Sequence, residues 1–272
     1  MLRSIKDFFN YLKPIKPLNV GFDSGGRNKP TILMLHGIGA THQTWDILIQ
    51  ELDADKYRII AIDLLGSGDS PAPKGCEYNV DDHTKYLRKT IKKLKIRGSF
   101  KMVGHSMGSI IIARYCNLYP RSISEVFLLS PPVYFKDDEN SNFSNKRTDF
   151  YLKAYELLSQ QKDFAIKYSK HIRNILRIKD GIIVDEKSWD GFSCSLKNTI
   201  IRQNVYENIK NINIPTNIIY GSLDQFLVQK NVNKLDEFDN VRVTRLVGIN
   251  HVISKRFAKS VADIINNSYK NN

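Results

Sequence analysis

The sequence predicts an α/β protein whose core is a doubly wound, mostly parallel sheet. Short apolar runs alternate with helical patterns along the chain, and this alternation implies parallel strands joined by right-handed crossovers. The runs are apolar almost throughout, as strands are when a parallel sheet is covered on both faces. With 42% hydrophobic and 10% aromatic residues among 272, the chain can bury a sizeable core.

The first half of the chain contains four of these runs, each short and rich in aliphatic or β-branched residues. They are TILMLHG (31–37), YRIIAIDLLG (57–66), SFKMVGHS (99–106) and EVFLLSPP (125–132). The helical patterns that alternate with them are Trp45–Leu52, Val80–Ile96 and Met107–Leu118. This order indicates successive strand–helix units of a parallel sheet.

The alternation stops after Pro132, where a polar, turn-rich stretch leaves the predicted sheet. Helical patterns follow at Phe150–Leu158, Asp163–Leu176 and Ser195–Asn208. Strand signals return in PTNIIYGSLD (215–224) and VRVTRLVGINH (241–251), and a helical pattern at Ser254–Tyr269 closes the domain. We therefore predict an N-terminal segment at 1–28, an α/β core at 29–132 and 215–272, and a mostly helical cap inserted at 133–214.

The formal net charge of +13 raises the question of an anionic partner. Nucleic acid is disfavoured, because the basic residues are spread over the chain and neither a zinc finger nor an aromatic-plus-basic RNA-binding motif is present. The run His83–Gly98 contains no acidic residue. Its apolar residues recur at helical spacing, so its lysines are interpreted as the solvated face of an amphipathic helix.

The cysteines bear on the cellular location and on metal binding. Cys76, Cys116 and Cys194 are too few for a disulfide framework. None of them has a second cysteine or paired histidines at metal-ligand spacing. The composition therefore indicates a reducing, cytoplasmic location and no bound metal.

The N-terminal stretch MLRSIKDFFNYLKPIKP has two interpretations. Charged residues interrupt each of its apolar runs, so it lacks the core of a secretion signal. No segment of the sequence reaches the roughly 18–20 apolar residues that span a bilayer. The apolar residues of the stretch nevertheless share one face of a potential helix. This face either packs on the protein itself or makes a weak peripheral membrane contact through residues 1–13.

The sequence GHSMG, Gly104–Gly108, lies between a predicted strand and a predicted helix. A serine hydroxyl is a weak nucleophile at neutral pH, and it needs a general base, a group that orients the base, and N–H donors for the oxyanion. A strained strand–turn–helix junction would lift Ser106 above the sheet and place the next N–H at a helix N-terminus. Such a turn requires the small neighbours Gly104 and Gly108. The alternative is a structural hydroxyl on an ordinary turn.

Four motifs in chain order resemble those of the α/β-hydrolase family, from about Lys29 to the last helix. LHGIG (35–39) is similar to the loop that supplies the first oxyanion N–H, and DLLGSGDS (63–70) to the glycine-rich loop after the next strand. GHSMG resembles the nucleophile elbow, while YGSLDQF (220–226) and GINH (248–251) match the places of the acid and the histidine. The cap matches the family by position only, and Ser109 stands where many relatives carry glycine.

The resemblance implies a catalytic triad of Ser106 as nucleophile, Asp224 as acid and His251 as base, with Ile38 and Met107 supplying the oxyanion N–H groups. The residues themselves favour the same triad. Ser106, Asp224 and His251 each follow an apolar strand at its carboxyl end, where functional groups gather in open α/β sheets. Among the histidines, only His251 follows a late strand through a short glycine-containing loop.

Other residues near these motifs have more than one interpretation. His36 and His105 either shape the backbone or line the site, and together with Gly37 they are predicted to contact the substrate. His42 lies near the oxyanion loop and is a further candidate for substrate contact. Asp63 follows a strand and is the alternative acid, although a turn-capping carboxylate is its ordinary interpretation.

The predicted activity is that of a serine hydrolase that cleaves a carboxylic ester or thioester of a small molecule through an acyl-enzyme. No cofactor is implied. The same triad would serve a carbon–carbon bond hydrolase or a cofactor-free perhydrolase, and a non-catalytic scaffold that binds a small ligand is an alternative of another class. Epoxide hydrolases and haloalkane dehalogenases are disfavoured, because those relatives place a carboxylate where Ser106 stands. The sequence leaves the oligomeric state open.

Overall fold

The computed structural model describes residues 15–135, 142–167 and 184–268. The predicted membrane contact through residues 1–13 and the C-terminal part of the predicted helix Asp163–Leu176 lie outside the described residues. None of the helices within these ranges combines the length and the apolar character that a bilayer-spanning segment needs.

Within the described ranges, seven strands form one sheet in the spatial order β1-β3-β2-β4-β5-β6-β7. β1 pairs with β3 antiparallel, and the other neighbouring pairs are parallel. The strands are Val20–Asp23 (β1), Thr31–Leu35 (β2), Arg58–Ile62 (β3), Phe100–His105 (β4), Ile123–Leu129 (β5), Thr216–Gly221 (β6) and Val241–Leu246 (β7). The predicted strands are β2 to β7, and the predicted mostly parallel α/β sheet is confirmed.

β1 is the strand that the sequence analysis did not predict. It has four residues that alternate between half-buried and exposed, a pattern too short and too polar to stand out beside the apolar runs. Its last residue, Asp23, accepts two hydrogen bonds from Arg58 of β3, from Nε at 2.9 Å and from Nη2 at 2.6 Å. The segment ahead of the predicted core therefore contributes an edge strand to the sheet.

Helices cover both faces of the sheet, which makes the fold doubly wound. The helices of the described ranges are Asp46–Glu51 (α1), Val80–Leu94 (α2), Met107–Leu118 (α3), Asn142–Gln160 (α4), Trp189–Ser195 (α5), Val205–Lys210 (α6), Gln229–Asn233 (α7) and Lys255–Ser268 (α8), and residues 162–167 are also helical. On one face, Leu48 of α1 and Phe257 of α8 are fully buried. On the other face, Leu87 of α2 and Ile111 of α3 are fully buried, and each such side chain contributes about 1.5–3 kcal/mol to stability.

α2 is the basic amphipathic helix that the sequence predicts, although it is shorter at its C-terminal end. The Asn79 side chain caps its N-terminus by accepting a hydrogen bond of 2.9 Å from the Asp82 N–H. The helix ends at Leu94, because Lys95 adopts left-handed backbone angles with φ of 48°. The predicted end at Ile96 was therefore two residues too late.

Residues Trp189–Ile201, here called the α5 segment, consist of α5 and a following turn of π-helix. Two buried polar contacts, one to a backbone carbonyl and one between side chains, tie this segment to the start of α2. The Thr199 hydroxyl donates to the Tyr78 carbonyl at 2.8 Å, and His83 Nε2 lies 3.0 Å from the Ser195 hydroxyl. The α5 segment is therefore fixed to the core although it lies between β5 and β6 in the chain.

Gly66 and Gly191 meet backbone to backbone where the α5 segment approaches the loop after β3. A Cβ atom added to either glycine would lie 2.9 Å from the Cα atom of the other, well inside van der Waals contact. Gly66 also has φ of +77°, a conformation that glycine adopts without strain. The close approach of the two elements thus requires glycine at both positions.

A buried ion pair joins neighbouring strands at the amino-terminal side of the sheet. Lys101 of β4 donates to Glu125 of β5, and both side chains are 9% exposed. The same lysine donates to the Ser268 hydroxyl at 2.8 Å, and Glu125 accepts from Asn217 at 2.9 Å. The hydrogen bonds of the two charges are therefore satisfied within the core.

We expect Lys101→Met to lower the free energy of unfolding by about 3–5 kcal/mol, because it leaves Glu125 buried without its counter-charge. Urea denaturation at pH 7.5 measures the change. The double variant Lys101→Met/Glu125→Met should be more stable than the single variant, since no buried charge remains. Lys162→Met, which breaks the exposed pair with Glu186, is the control and should leave stability nearly unchanged. A single variant as stable as this control would contradict the prediction.

Candidate active site

Ser106 occupies the sharp turn between β4 and α3, with φ of 52° and ψ of −117°. A positive φ at a residue with a side chain is strained by about 1–3 kcal/mol. Its flanking glycines lie in crowded positions. A Cβ atom on Gly108 would lie 2.2 Å from the Leu35 carbonyl oxygen, and one on Gly104 would lie 2.8 Å from the Gly108 backbone. The strained turn is thus held by close packing of α3 against β2 and β4.

Asp224 and His251 form a direct pair at the carboxyl ends of β6 and β7. His251 Nδ1 lies 2.8 Å from Asp224 Oδ2, and the Asp224 side chain is fully buried. Burial by itself would raise the pKa of Asp224, but the hydrogen bond and the charge of His251 outweigh it, and the pKa is lowered from its usual value. The carboxylate is therefore ionised at neutral pH and holds the proton of His251 on Nδ1.

The His251 ring contacts two other rings. The edge of Phe226 meets it at a centroid distance of 4.9 Å, and the His105 ring lies 4.7 Å away. His105 Nε2 is also 2.9 Å from the His251 carbonyl oxygen. Burial lowers the pKa of His105 to about 3, so the neutral ring donates its Nε2–H to that carbonyl. The residue that precedes Ser106 thus contacts the histidine of the pair.

The loop after β2 packs directly on the turn of Ser106. A Cβ atom on Gly37 would lie 3.1 Å from Ser106 Cβ, so a larger residue would push the loop away from the serine. Ile38 and Met107 both line a cavity of about 110 Å³ beside this contact. The two residues predicted to supply oxyanion N–H groups therefore face the same small space.

The Ser106 hydroxyl makes no hydrogen bond to the residues that the structure describes. Ser106, Asp224 and His251 nevertheless lie at the same edge of the sheet, and Asp224 and His251 are in direct contact. In ligand-free enzymes the hydrogen bond between nucleophile and base is often long and shortens when substrate binds.

His36 is fully buried, and both of its ring nitrogens are used within the protein. Nε2 accepts a hydrogen bond of 2.9 Å from the Leu64 N–H, and Nδ1 lies 2.7 Å from the Gly37 carbonyl oxygen. Burial lowers the pKa of His36 to about 4, which keeps the ring neutral and able to accept at Nε2. This placement favours the backbone-shaping interpretation of His36 over substrate contact.

Asp63, the alternative acid, is paired with a different histidine. It lies 2.8 Å from His42 Nδ1 and accepts a further hydrogen bond from the Asp69 N–H at 3.3 Å. The second contact is the turn-capping role that the sequence suggested, whereas the first was not anticipated. The sheet edge therefore carries two histidine–aspartate pairs.

Tyr134 and Tyr155 were not singled out by sequence, because Tyr134 follows the last strand of the first half and Tyr155 lies in a helical pattern without a functional motif. The Tyr134 hydroxyl donates to the Phe226 carbonyl at 2.6 Å, two residues beyond Asp224. Tyr155 of α4 lies 3.3 Å from the same hydroxyl, and burial raises its pKa to about 12. These neutral phenols hold the loop that carries Asp224.

The chain belongs to the alpha/beta hydrolase fold family, whose model matches residues 30–255. It is 24% identical over 254 residues to Lipase 3 of Moraxella sp. (strain TA144), covering 88% of this chain and 76% of that protein. It is 32% identical over 111 residues to "Probable lysophospholipase BODYGUARD 4" of Arabidopsis thaliana, covering 40% of this chain and only 27% of the length of that protein.

Among solved structures, the thermophilic esterase of Thermogutta terrifontis is similar over 92% of each chain, with a TM-score of 0.71 and 16% sequence identity. At this level of identity the likeness concerns the fold alone. It agrees with the mostly parallel sheet and the helices that flank it.

Proposed function

We propose that the protein is a serine hydrolase that cleaves a carboxylic ester or thioester through an acyl-enzyme. The observation that carries this proposal is the buried, ionised Asp224 paired with His251 beside the strained turn of Ser106. The match to proteins named as a lipase and a lysophospholipase supports an ester of a fatty acid as the substrate class.

In the first step, His251 Nε2 accepts the proton of the Ser106 hydroxyl as Oγ attacks the substrate carbonyl carbon. Asp224 holds the His251 tautomer through Nδ1 and stabilises the imidazolium that forms. The Ile38 and Met107 N–H groups donate to the oxyanion, each contributing about 3–4 kcal/mol to transition-state stabilisation. The tetrahedral intermediate then expels the alcohol or thiol, which takes the proton back from His251.

In the second step, water attacks the acyl-enzyme with His251 again as the base, and the acid product leaves. Both steps use the same base and the same oxyanion donors, so one geometry serves the whole cycle. The chemistry uses the side chains and backbone groups named here and one water molecule.

We also propose that the helices between β5 and β6 form a cap whose aromatic residues border the site. Tyr134 and Tyr151 support this, because their hydroxyls donate to the carbonyls of Phe226 and Gln225 in the loop after Asp224. The α5 segment borders the cavity of Ile38 and Met107 through Phe192. A cap in this position would select the acyl or alcohol group of the substrate.

The test is labelling of the folded protein with a fluorophosphonate, followed by mapping of the adduct by mass spectrometry. We expect one adduct, on Ser106, and loss of both labelling and p-nitrophenyl butyrate hydrolysis in Ser106→Ala. Ser122→Ala, which changes an exposed serine, is the control and should label like the wild type. Labelling that persists in Ser106→Ala would refute the assignment of the nucleophile.

A further inference from the structure

Asp63 at the end of β3 is a buried carboxylate held by donors from several elements. Oδ1 accepts from the His42 N–H at 2.7 Å and lies 2.8 Å from His42 Nδ1, while Oδ2 accepts from Asn19 Nδ2 at 2.9 Å. Burial would raise the pKa of Asp63, but the hydrogen bonds from Asn19 and His42 outweigh it and lower the pKa. Asp63 is therefore a fixed anion that contacts both the backbone N–H and the ring Nδ1 of His42.

His42 lies at the C-terminal end of the oxyanion loop, defined here as residues 36–42, and opens the 3₁₀ turn His42–Trp45. Its ring packs against β1 at Gly21. A Cβ atom on Gly21 would be 2.0 Å from His42 Nδ1, so glycine at this position leaves the space that the ring fills. The His42 side chain is 24% exposed, and its Nδ1 atom contacts Asp63.

The other end of the oxyanion loop is held by Leu64, the residue that follows Asp63 in the loop after β3. His36 Nε2 accepts from the Leu64 N–H at 2.9 Å, so consecutive residues, Asp63 and Leu64, grip the two ends of the loop. Within the loop, the contact between backbone groups is a long one, from the Ala40 N–H to the Gly37 carbonyl at 3.4 Å. The position of Ile38 therefore depends on the two ends more than on bonds inside the loop.

We propose that His42 and Asp63 form a positioning pair that sets the Ile38 N–H at the distance the oxyanion requires. This inference rests on the proposed serine hydrolase function and deepens it. His42 does not touch the reacting atoms. It acts through the backbone of the loop, and the pair holds the donor in place before substrate arrives, as electrostatic preorganisation requires.

Loss of the positioning pair should lower turnover more than it weakens substrate binding. His42→Ala removes the Nδ1 contact and allows the loop to relax, so kcat should fall about 10–100-fold. Removal of an oxyanion donor itself costs more, about 10²–10³-fold in kcat. KM for p-nitrophenyl butyrate should change less than about threefold, because the ground-state carbonyl depends little on the donor.

Two conservative variants form a matched pair. His42→Asn places an amide N–H where Nδ1 stood and should restore kcat to within about threefold of the wild type. His42→Gln carries the same amide one carbon further from the backbone, so it misses Asp63 and should resemble His42→Ala. The measurement is steady-state kinetics on p-nitrophenyl butyrate, together with the rate of fluorophosphonate labelling of Ser106 and the melting temperature of each variant.

The wild type is assayed first, since absence of hydrolysis and of Ser106 labelling there would overturn the proposed function itself. With an active wild type, equal kcat values for His42→Asn and His42→Gln would overturn the positioning pair and leave the triad intact. The comparison of His42→Asn with His42→Gln tests the positioning pair even if His42→Ala does not fold. Higher kcat in the asparagine variant at matched melting temperature supports the inference.

Discussion

Asp224→Asn is expected to lower kcat about 10⁴-fold, by analogy with the loss of the triad carboxylate in serine proteases. Asparagine fits the space, but its amide cannot stabilise the imidazolium, and it favours the tautomer with the proton on Nε2 that cannot accept from Ser106. The measurement is kcat for p-nitrophenyl butyrate with active sites counted by titration.

Asp63→Asn is the matched control for this prediction, because both carboxylates follow a strand and both pair with a histidine. The amide oxygen of asparagine can still accept both hydrogen bonds from His42, so kcat should fall less than about tenfold. The amide nitrogen would face the donors of Asn19 and Asp69, so this variant should lose stability. The opposite pattern, with the larger kcat loss at position 63, would exchange the roles of the two carboxylates.

Acidification below pH 6.5 is expected to destabilise the protein steeply. Burial is the main cause that lowers the pKa values of His36, His83 and His105, to about 4, 3 and 3. In the unfolded chain these imidazoles titrate near 6.5. Between pH 6.5 and about 4 the unfolded state therefore binds more protons than the folded state, and each histidine removes about 1.4 kcal/mol of stability per pH unit.

The check is urea denaturation at pH 7.5, 6.5, 5.5 and 4.5. The histidine contribution is fully present above pH 6.5 and is lost as pH falls. The carboxylates Asp63 and Asp224, whose pKa values are lowered below 3.8, act in the same direction only at lower pH. His83→Gln should reduce the slope by about a third while its amide retains a contact with Ser195. Equal stability at pH 7.5 and 5.5 would contradict the prediction.

The strands of the central sheet could be predicted because burial on both faces leaves a continuous apolar run. β2 and β3 are buried at every residue, and α3 has the predicted bounds, Met107–Leu118. β1 could not be predicted from the sequence, because an edge strand buries few side chains and Gly21 has no side chain to contribute to an apolar pattern.

Other features depend on contacts that local pattern does not encode. The helix predicted at Ser195–Asn208 is interrupted after Ile201, where the Gln203 side chain bridges the Tyr134 carbonyl at 2.8 Å and the Val205 N–H at 2.7 Å. The Val205 N–H thus bonds to a side chain instead of a helical carbonyl. The bond from Gln203 to Tyr134 depends on where Tyr134 lies in three dimensions.

The same holds for the functional site. The sequence placed Ser106, Asp224 and His251 at the carboxyl ends of strands, because that position follows from the topology of a parallel sheet. Which histidine pairs with which aspartate depends on how loops fold over the edge. His42 and Asp63 are 21 residues apart, and Asp63 had a sufficient local explanation as a turn cap, so their pairing could not be read from spacing.

The contact between Gly66 and Gly191 has a consequence for how this protein can evolve. Because a Cβ atom on either glycine would lie only 2.9 Å from the Cα atom of the other, no side-chain change at one position compensates for a change at the other. Selection should therefore keep both residues constant among orthologues, even while the surrounding helices drift in sequence. Libraries made to broaden substrate range should leave these two codons unaltered and place their diversity in α4.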